Sequence, residues 1–202
     1  MIQTIFPHYF YSLITPPNKK EIIRSLSNAK VNEEESKNLI WPNGCGIKVE
    51  SLYPHLVGSV LHDTIVTYFG ELGIKFYPKI ELLSIWKNTY NKGHYQDIHE
   101  HHTAEGCGCH LSGVVFLTDH VEGASRFYFY NKFYVELPTP WLRIISQNNL
   151  TSSLVYLTTK AGDIILFPSY MLHGVTMHKI NQKRTTVAFK LSLQCNSTPT
   201  FN

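Results

Sequence analysis

The fold turns on the stretch GDIILFPSYMLHGVTMH, residues 162–178. An Ala161-Gly162-Asp163 turn feeds an unbroken apolar run, Ile164 to Phe167, which reads as a buried strand. A proline-containing break follows, and His173 stands just beyond it. A histidine delivered by a buried strand is placed by the core of the protein and not by a surface loop, so the segments on either side decide what it meets.

Working outward, the hydrophobic period is two from about residue 79 onward. KIELLSIW, HLSGVVFLT, ASRFYFY, LVYLTT, GDIILFP, HGVTMH and TTVAFKLSL alternate or run apolar and are punctuated by Gly, Pro, Asn or Asp. Several short strands with turns between them predict a sandwich or barrel, not alternating βα units. The first third has the helical period instead. KKEIIRSLSNAK spaces Ile22, Ile23 and Leu26 for one helix, and VGSVLHDTIVTYFGELG spaces Val60, Leu61, Ile65, Val66 and Phe69 for another. VNEEESKN reads as a polar separator. The expected organisation is one domain over 1–202: a helical flanking segment, 1–78, before a mainly β core, 79–195.

Composition narrows the class. Of 202 residues, 43% are hydrophobic and 16% charged, which excludes a disordered chain. The net charge of +3 is spread without a basic stripe, so no nucleic-acid partner is expected. The N-terminal stretch MIQTIFPHYFYSLITPP lacks the features of a secretory signal, and no apolar run approaches a membrane span. Cys107 and Cys109 are too close for an easy mutual disulfide. These features predict a soluble, reduced, cytoplasmic protein with no membrane partner.

Five of the eleven histidines fall between His94 and His110, within and around QDIHEHH, residues 96–102. On a strand, Asp97, His99 and His101 would share one face. Two imidazoles on one face can reach a single cation, and neutral imidazole is a strong ligand for iron or zinc. A third ligand must then come from elsewhere, and His173 is the best candidate. Arg184 opens the strand that follows, with Thr186 on its face, so a guanidinium fork and a hydroxyl could hold a carboxylate together. Asn88, beside a strand end, could add a hydrogen bond or simply cap a turn. His94, His102, His110, His120 and His178 are read as bystanders, Trp86 and Ser112 as core and turn residues. A competing reading gathers His101, His102, Cys107, Cys109 and His110 around a structural zinc.

The order of these parts resembles the iron(II)- and 2-oxoglutarate-dependent dioxygenases, and in particular a branch with an H-x-H phrase. The stretches that carry the likeness are WKN (86–88), GHYQDIHEH (93–101), LSGV (111–114), FPSYMLH (167–173) and RTTVAF (184–189). The resemblance implies a double-stranded β-helix, the cupin-like jelly roll. It implies iron(II) held by His99, His101 and His173, with 2-oxoglutarate and dioxygen as co-substrates. It also implies Arg184 and Thr186 on the distal carboxylate of 2-oxoglutarate, and a hydroxylated substrate that is a protein side chain or a small molecule. The chain departs from the common triad of two histidines and a carboxylate at residue 101. That leaves three alternatives open: a three-histidine site, Asp97 as the carboxylate ligand or as an acceptor for an imidazole N–H, and a site without oxygenase activity. Cupin-like three-histidine enzymes that do not use 2-oxoglutarate, and a non-catalytic zinc-binding jelly roll, are the other classes; neither needs the Arg184 clamp.

Overall fold

The computed structural model describes residues 11–39, 45–54, 58–72, 79–101, 108–131 and 153–194. Two antiparallel sheets face each other. The larger has the order β1-β8-β5-β10-β3-β2, and the smaller β4-β9-β6-β7. Their strands are β1 (Ser12–Ile14), β2 (Lys48–Ser51), β3 (Lys79–Tyr90), β4 (Gln96–His99), β5 (Leu111–Phe116), β6 (Phe127–Tyr130), β7 (Leu154–Tyr156), β8 (Ile164–Pro168), β9 (His173–Val175) and β10 (Arg184–Gln194). The helices are α1 (Lys19–Ser27), α2 (Glu33–Ser36) and α3 (Gly58–Glu71). This is the mainly β sandwich with flanking helices that the period-two stretches predict, and the jelly roll that the family resemblance implies.

The larger sheet is buried on both sides, which explains why its central strands read as near-continuous apolar runs. In β8, Ile164 and Leu166 face the helices, where they join Ile22 and Leu26 of α1 and Leu61, Ile65 and Phe69 of α3. Ile165 and Phe167, one residue out of phase, point between the sheets toward Phe127, Phe129 and Val175. The same division runs along β10, where Val187, Phe189 and Leu191 belong to the helix side and Ala188 to the inter-sheet side.

The glycine of LSGV has a packing reason. Gly113 lies opposite Phe189 in the β5–β10 ladder, and a methyl group at residue 113 would fall within the Phe189 ring, itself almost wholly buried. Gly113→Ala is therefore expected to cost about 1–3 kcal/mol through overpacking. Gly70→Ala, on α3 with open space around it, is expected to be neutral or slightly stabilising. Urea denaturation of the two variants side by side measures the contrast.

Two strands arise in the first third, where the sequence pattern shows helices and loops. β1 adds to the edge of β8 and β2 to the edge of β3. Both are short, and edge pairing supplies the order that their own sequences do not. The polar separator also contains a single helical turn, α2. Asn32 caps it, its side chain accepting from the Glu35 amide at 3.3 Å and donating to the Glu35 carboxylate at 3.1 Å. Among the described residues, no helix is long and apolar enough to cross a membrane.

Candidate metal centre

β4 and β9 pair so that His99 lies opposite His173. Their ring centroids are 4.2 Å apart, and His101 completes the group at 5.0 Å from His99 and 5.1 Å from His173. The ligand atoms of the three imidazoles all lie within 4.8 Å of one another, the one such group of His, Cys, Asp or Glu among the described residues. Two of the tautomers are set by the backbone. His99 Nδ1 is 2.8 Å from the Asp97 carbonyl and His173 Nδ1 is 2.8 Å from the Met171 carbonyl. Each Nδ1–H donates to an oxygen, which makes Nε2 the unprotonated nitrogen, the one that can bind a cation.

The strand alternation expected for Asp97, His99 and His101 does not hold. The pairing of β4 with β9 is irregular between Gln96 and His99, and β4 stops at His99. His101 lies beyond the strand, its amide bonded to the Ser169 carbonyl at 3.0 Å. Asp97 is exposed, and its carboxylate accepts from the Cys45 thiol at 3.6 Å. As an alternative ligand Asp97 is therefore misplaced; it supports an imidazole with its main-chain carbonyl and not with its carboxylate.

Burial shapes the charge of the three imidazoles. His101 is pushed down to about 3, first by desolvation and then by His99 and Lys190. His173 falls well below the ordinary histidine value, again chiefly by burial. His99 is lowered by burial, against a raising contribution from the Asp97 carbonyl. All three are held neutral at pH 7, the form that binds metal. In the unfolded chain they titrate near 6.5, so below that pH the unfolded state carries more protons and stability falls with pH. Metal-free protein is expected to lose up to about 1.4 kcal/mol per pH unit for each of these histidines as pH drops below 6.5. Urea denaturation at pH 7.5, 6.5 and 5.5 tests the slope.

The inter-sheet cavity continues from the histidines to a second polar group. Arg184, the first residue of β10, is only 4% exposed. Its guanidinium lies over the rings of Tyr90 at 5.2 Å and Phe116 at 5.4 Å. Its Nη1 has no hydrogen-bond partner, and no carboxylate pairs with it among the described residues. Thr186 and Asn88 are opposite each other in the β10–β3 ladder, both buried, and the Asn88 Oδ1 is also without a partner. Unmatched polar atoms in a buried cavity mark a place prepared for a polar ligand. The lining also includes Tyr90 and Gln96, which sequence reasoning did not single out. The Tyr90 hydroxyl donates to the Gln96 side-chain oxygen, and burial pushes the phenol up to about 12. Only the register that sets Tyr90 across from Arg184 could have found it.

Three of the histidines read as bystanders have side-chain partners away from this group. His178 accepts from the Ser125 amide and bonds the Gln182 carbonyl, His110 accepts from the Leu193 amide, and His94 accepts from the Asn91 amide. Cys109 meets the Ser169 hydroxyl at 3.0 Å, apart from the three-histidine group. His102, Cys107 and Cys195 lie outside the described residues. Ser112 sits within β5, not in a turn, bonded to Ser169 at 2.9 Å. Trp86 is a core residue as expected, with its ring edge toward His101 at a centroid distance of 5.9 Å.

The jelly roll thus carries three convergent neutral imidazoles that could hold one metal ion, and in the same cavity a buried guanidinium with no carboxylate partner among the described residues. The sequence model of the family described as "Putative 2OG-Fe(II) oxygenase" matches residues 84–190. The chain belongs to this family, whose chemistry depends on iron(II), 2-oxoglutarate and dioxygen. Solved structures show the same fold at low identity. A prolyl-4-hydroxylase from Pseudomonas putida superposes with a TM-score of 0.60 at 12% identity, covering 93% of this chain and 95% of its own. The α-ketoglutarate-dependent carbocyclase SnoK of nogalamycin biosynthesis gives 0.63 at 13%, covering 91% and 80%. HygX from Streptomyces hygroscopicus, with nickel and 2-oxoglutarate bound, gives 0.55 at 14%, covering 91% and 82%. A comparison with curated protein sequences finds no match.

Proposed function

We propose that the protein is an oxygenase of this family in which His99, His101 and His173 hold iron(II) and Arg184, Thr186 and Asn88 hold 2-oxoglutarate, and that it hydroxylates a substrate at a C–H bond. The observation that carries the assignment is the pairing of two features in one cavity: three imidazoles with ligand atoms within 4.8 Å, and the buried Arg184 with a free Nη1. The donor set fits a divalent cation, because all three rings are neutral and two have Nδ1 engaged by carbonyls.

Bound there, iron(II) supplies the activation of dioxygen that is coupled to decarboxylation of 2-oxoglutarate. The chain's own residues do the rest. Arg184 offers a charged fork to the distal carboxylate, and the Tyr90 and Phe116 rings keep that fork flat and away from water. Thr186 contributes a hydroxyl and Asn88 an amide. The aromatic wall of Phe127 and Phe167 packs His173 in place, at centroid distances of 5.4 and 4.9 Å. The chain is read as one domain, and its buried free thiols Cys45 and Cys109 suit a reducing, cytoplasmic setting. The substrate, a protein side chain or a small molecule, is not named by this geometry.

The test is anoxic addition of iron(II) and then 2-oxoglutarate to metal-free protein, followed by visible absorption. A weak charge-transfer band from the chelate is the expected result. Iron binding without that band removes 2-oxoglutarate and favours a cupin-like three-histidine enzyme; retention of zinc alone favours a structural site.

A further inference from the structure

On β10 the side chains of Arg184, Thr186, Ala188 and Lys190 share a face, because residues two apart on a strand point the same way and the irregularity in this strand comes only after Lys190. Arg184 ends this row on one side of the three histidines, and Lys190 ends it on the other. A second cavity, of about 380 Å³, opens on the Lys190 side. Trp86, His99 and His101 line both cavities, so the two meet at the candidate metal centre.

Lys190 is placed but not neutralised. Its ammonium lies over the Trp86 ring at 5.6 Å, and no carboxylate pairs with it among the described residues. Lys48 and Lys87, by contrast, both pair with Glu50, at 2.6 and 3.4 Å. Glu35 and Glu100 also line this cavity. The Glu35 carboxylate already accepts from the Ser51 hydroxyl at 2.7 Å. Lys190 and His101 both lie against the Trp86 ring, at 5.6 and 5.9 Å from its centroid, which sets the ammonium beside the centre. Three neutral ligands bring no negative charge to a divalent cation. A dianionic co-substrate offsets the metal and engages Arg184, which leaves Lys190 as the cation of the second cavity, set over Trp86 with Glu35 and Glu100 also in the lining.

We infer that the second cavity is the substrate site, and that it selects substrates bearing a carboxylate or phosphate group, which Lys190 holds while the reacting carbon faces His99 and His101. The inference rests on the oxygenase reading and adds to it the charge of the substrate and the residue that reads it. Lys190 is a specificity residue. The outer acids Glu35 and Glu100 then favour a substrate whose remainder is cationic or rich in N–H donors.

The test uses zinc-loaded protein saturated with 2-oxoglutarate and follows the Lys190 side-chain signal by NMR, assigned from its absence in Lys190→Met. Acetate, methyl phosphate and neutral acetamide are titrated in turn. Acetate or methyl phosphate should shift the signal saturably while acetamide does not, and the tighter of the two anions identifies carboxylate or phosphate as the preferred group. Followed in the variants by the indole signal of Trp86, over which the Lys190 ammonium lies, binding of that anion should weaken about tenfold or more in Lys190→Met, persist in Lys190→Arg and vanish in Lys190→Glu. An equal response to acetamide, or anion affinity unchanged in Lys190→Met because the metal alone holds it, overturns the inference. Failure of 2-oxoglutarate to bind in the first step overturns the oxygenase reading instead, so the two failures are separable.

Discussion

His173→Ala is expected to lower affinity for divalent metal by at least about 100-fold, beyond the 10–100-fold that loss of an outer partner costs. His173 is the proposed ligand on β9, an inner strand of the smaller sheet; it is 4% exposed and faces His99 across a strand pair. Its ring is packed among aromatic side chains, so alanine leaves both a vacant ligand position and a hole. His101→Asp should behave in the opposite way. It restores the two-histidine, one-carboxylate set common to non-haem iron oxygenases, and the iron and 2-oxoglutarate absorption band should survive. Anoxic titration with iron(II), read by calorimetry, separates the two variants. Equal loss in both would mean that an aspartate at residue 101 cannot take the histidine's place on the metal.

The second large effect falls on Arg184, and it has two signs. Arg184→Met should weaken 2-oxoglutarate binding by about 2–5 kcal/mol, on the order of 30-fold to several thousand-fold, since the co-substrate carboxylate would lose the buried cation proposed to hold it. The same substitution should leave the metal-free, co-substrate-free protein as stable as the original or more so. The guanidinium is buried, its Nη1 has no partner, and burial lowers its affinity for a proton. Replacing an uncompensated buried charge with an apolar chain of similar length removes a desolvation cost. In the original protein, 2-oxoglutarate at 100 times its dissociation constant should add about 2.7 kcal/mol of stability, and at the same concentration the variant should gain less than about 1 kcal/mol. Thermal denaturation with and without 2-oxoglutarate measures both signs. A variant that is destabilised alone and still stabilised by 2-oxoglutarate would show that Arg184 is a structural residue.

What the sequence made legible follows from which signals are local. The apolar run Ile164–Phe167 announced a strand buried on both sides, and His173 and Arg184 followed it at spacings the structure retains. Seven period-two stretches correspond to strands of the two sheets. The failures share a cause. β1 and β2 are edge strands whose order comes from neighbours distant in sequence, such as Leu166 for Ser12 and Trp86 for Ser51. The irregular pairing after Gln96 cannot be seen in QDIHEHH, yet it sends the Asp97 carboxylate toward Cys45 and away from the metal ligands. Tyr90 and Lys190 became visible only through the β10 ladder, where register and not motif assigns a residue to the cavity.

The position of β10 has a consequence for how the protein comes into being. It is the last described strand to be synthesised, and it inserts between β3 and β5, which were made about a hundred and about seventy residues earlier. Until it emerges from the ribosome, both neighbours present open hydrogen-bonding edges, and the carboxylate seat and half of the cavity wall do not exist. The nascent chain thus holds its three histidines before it holds Arg184 or Lys190. Under the proposed assignment the metal ligands are made before the groups that would hold 2-oxoglutarate and substrate, so the site is complete only once this strand has inserted.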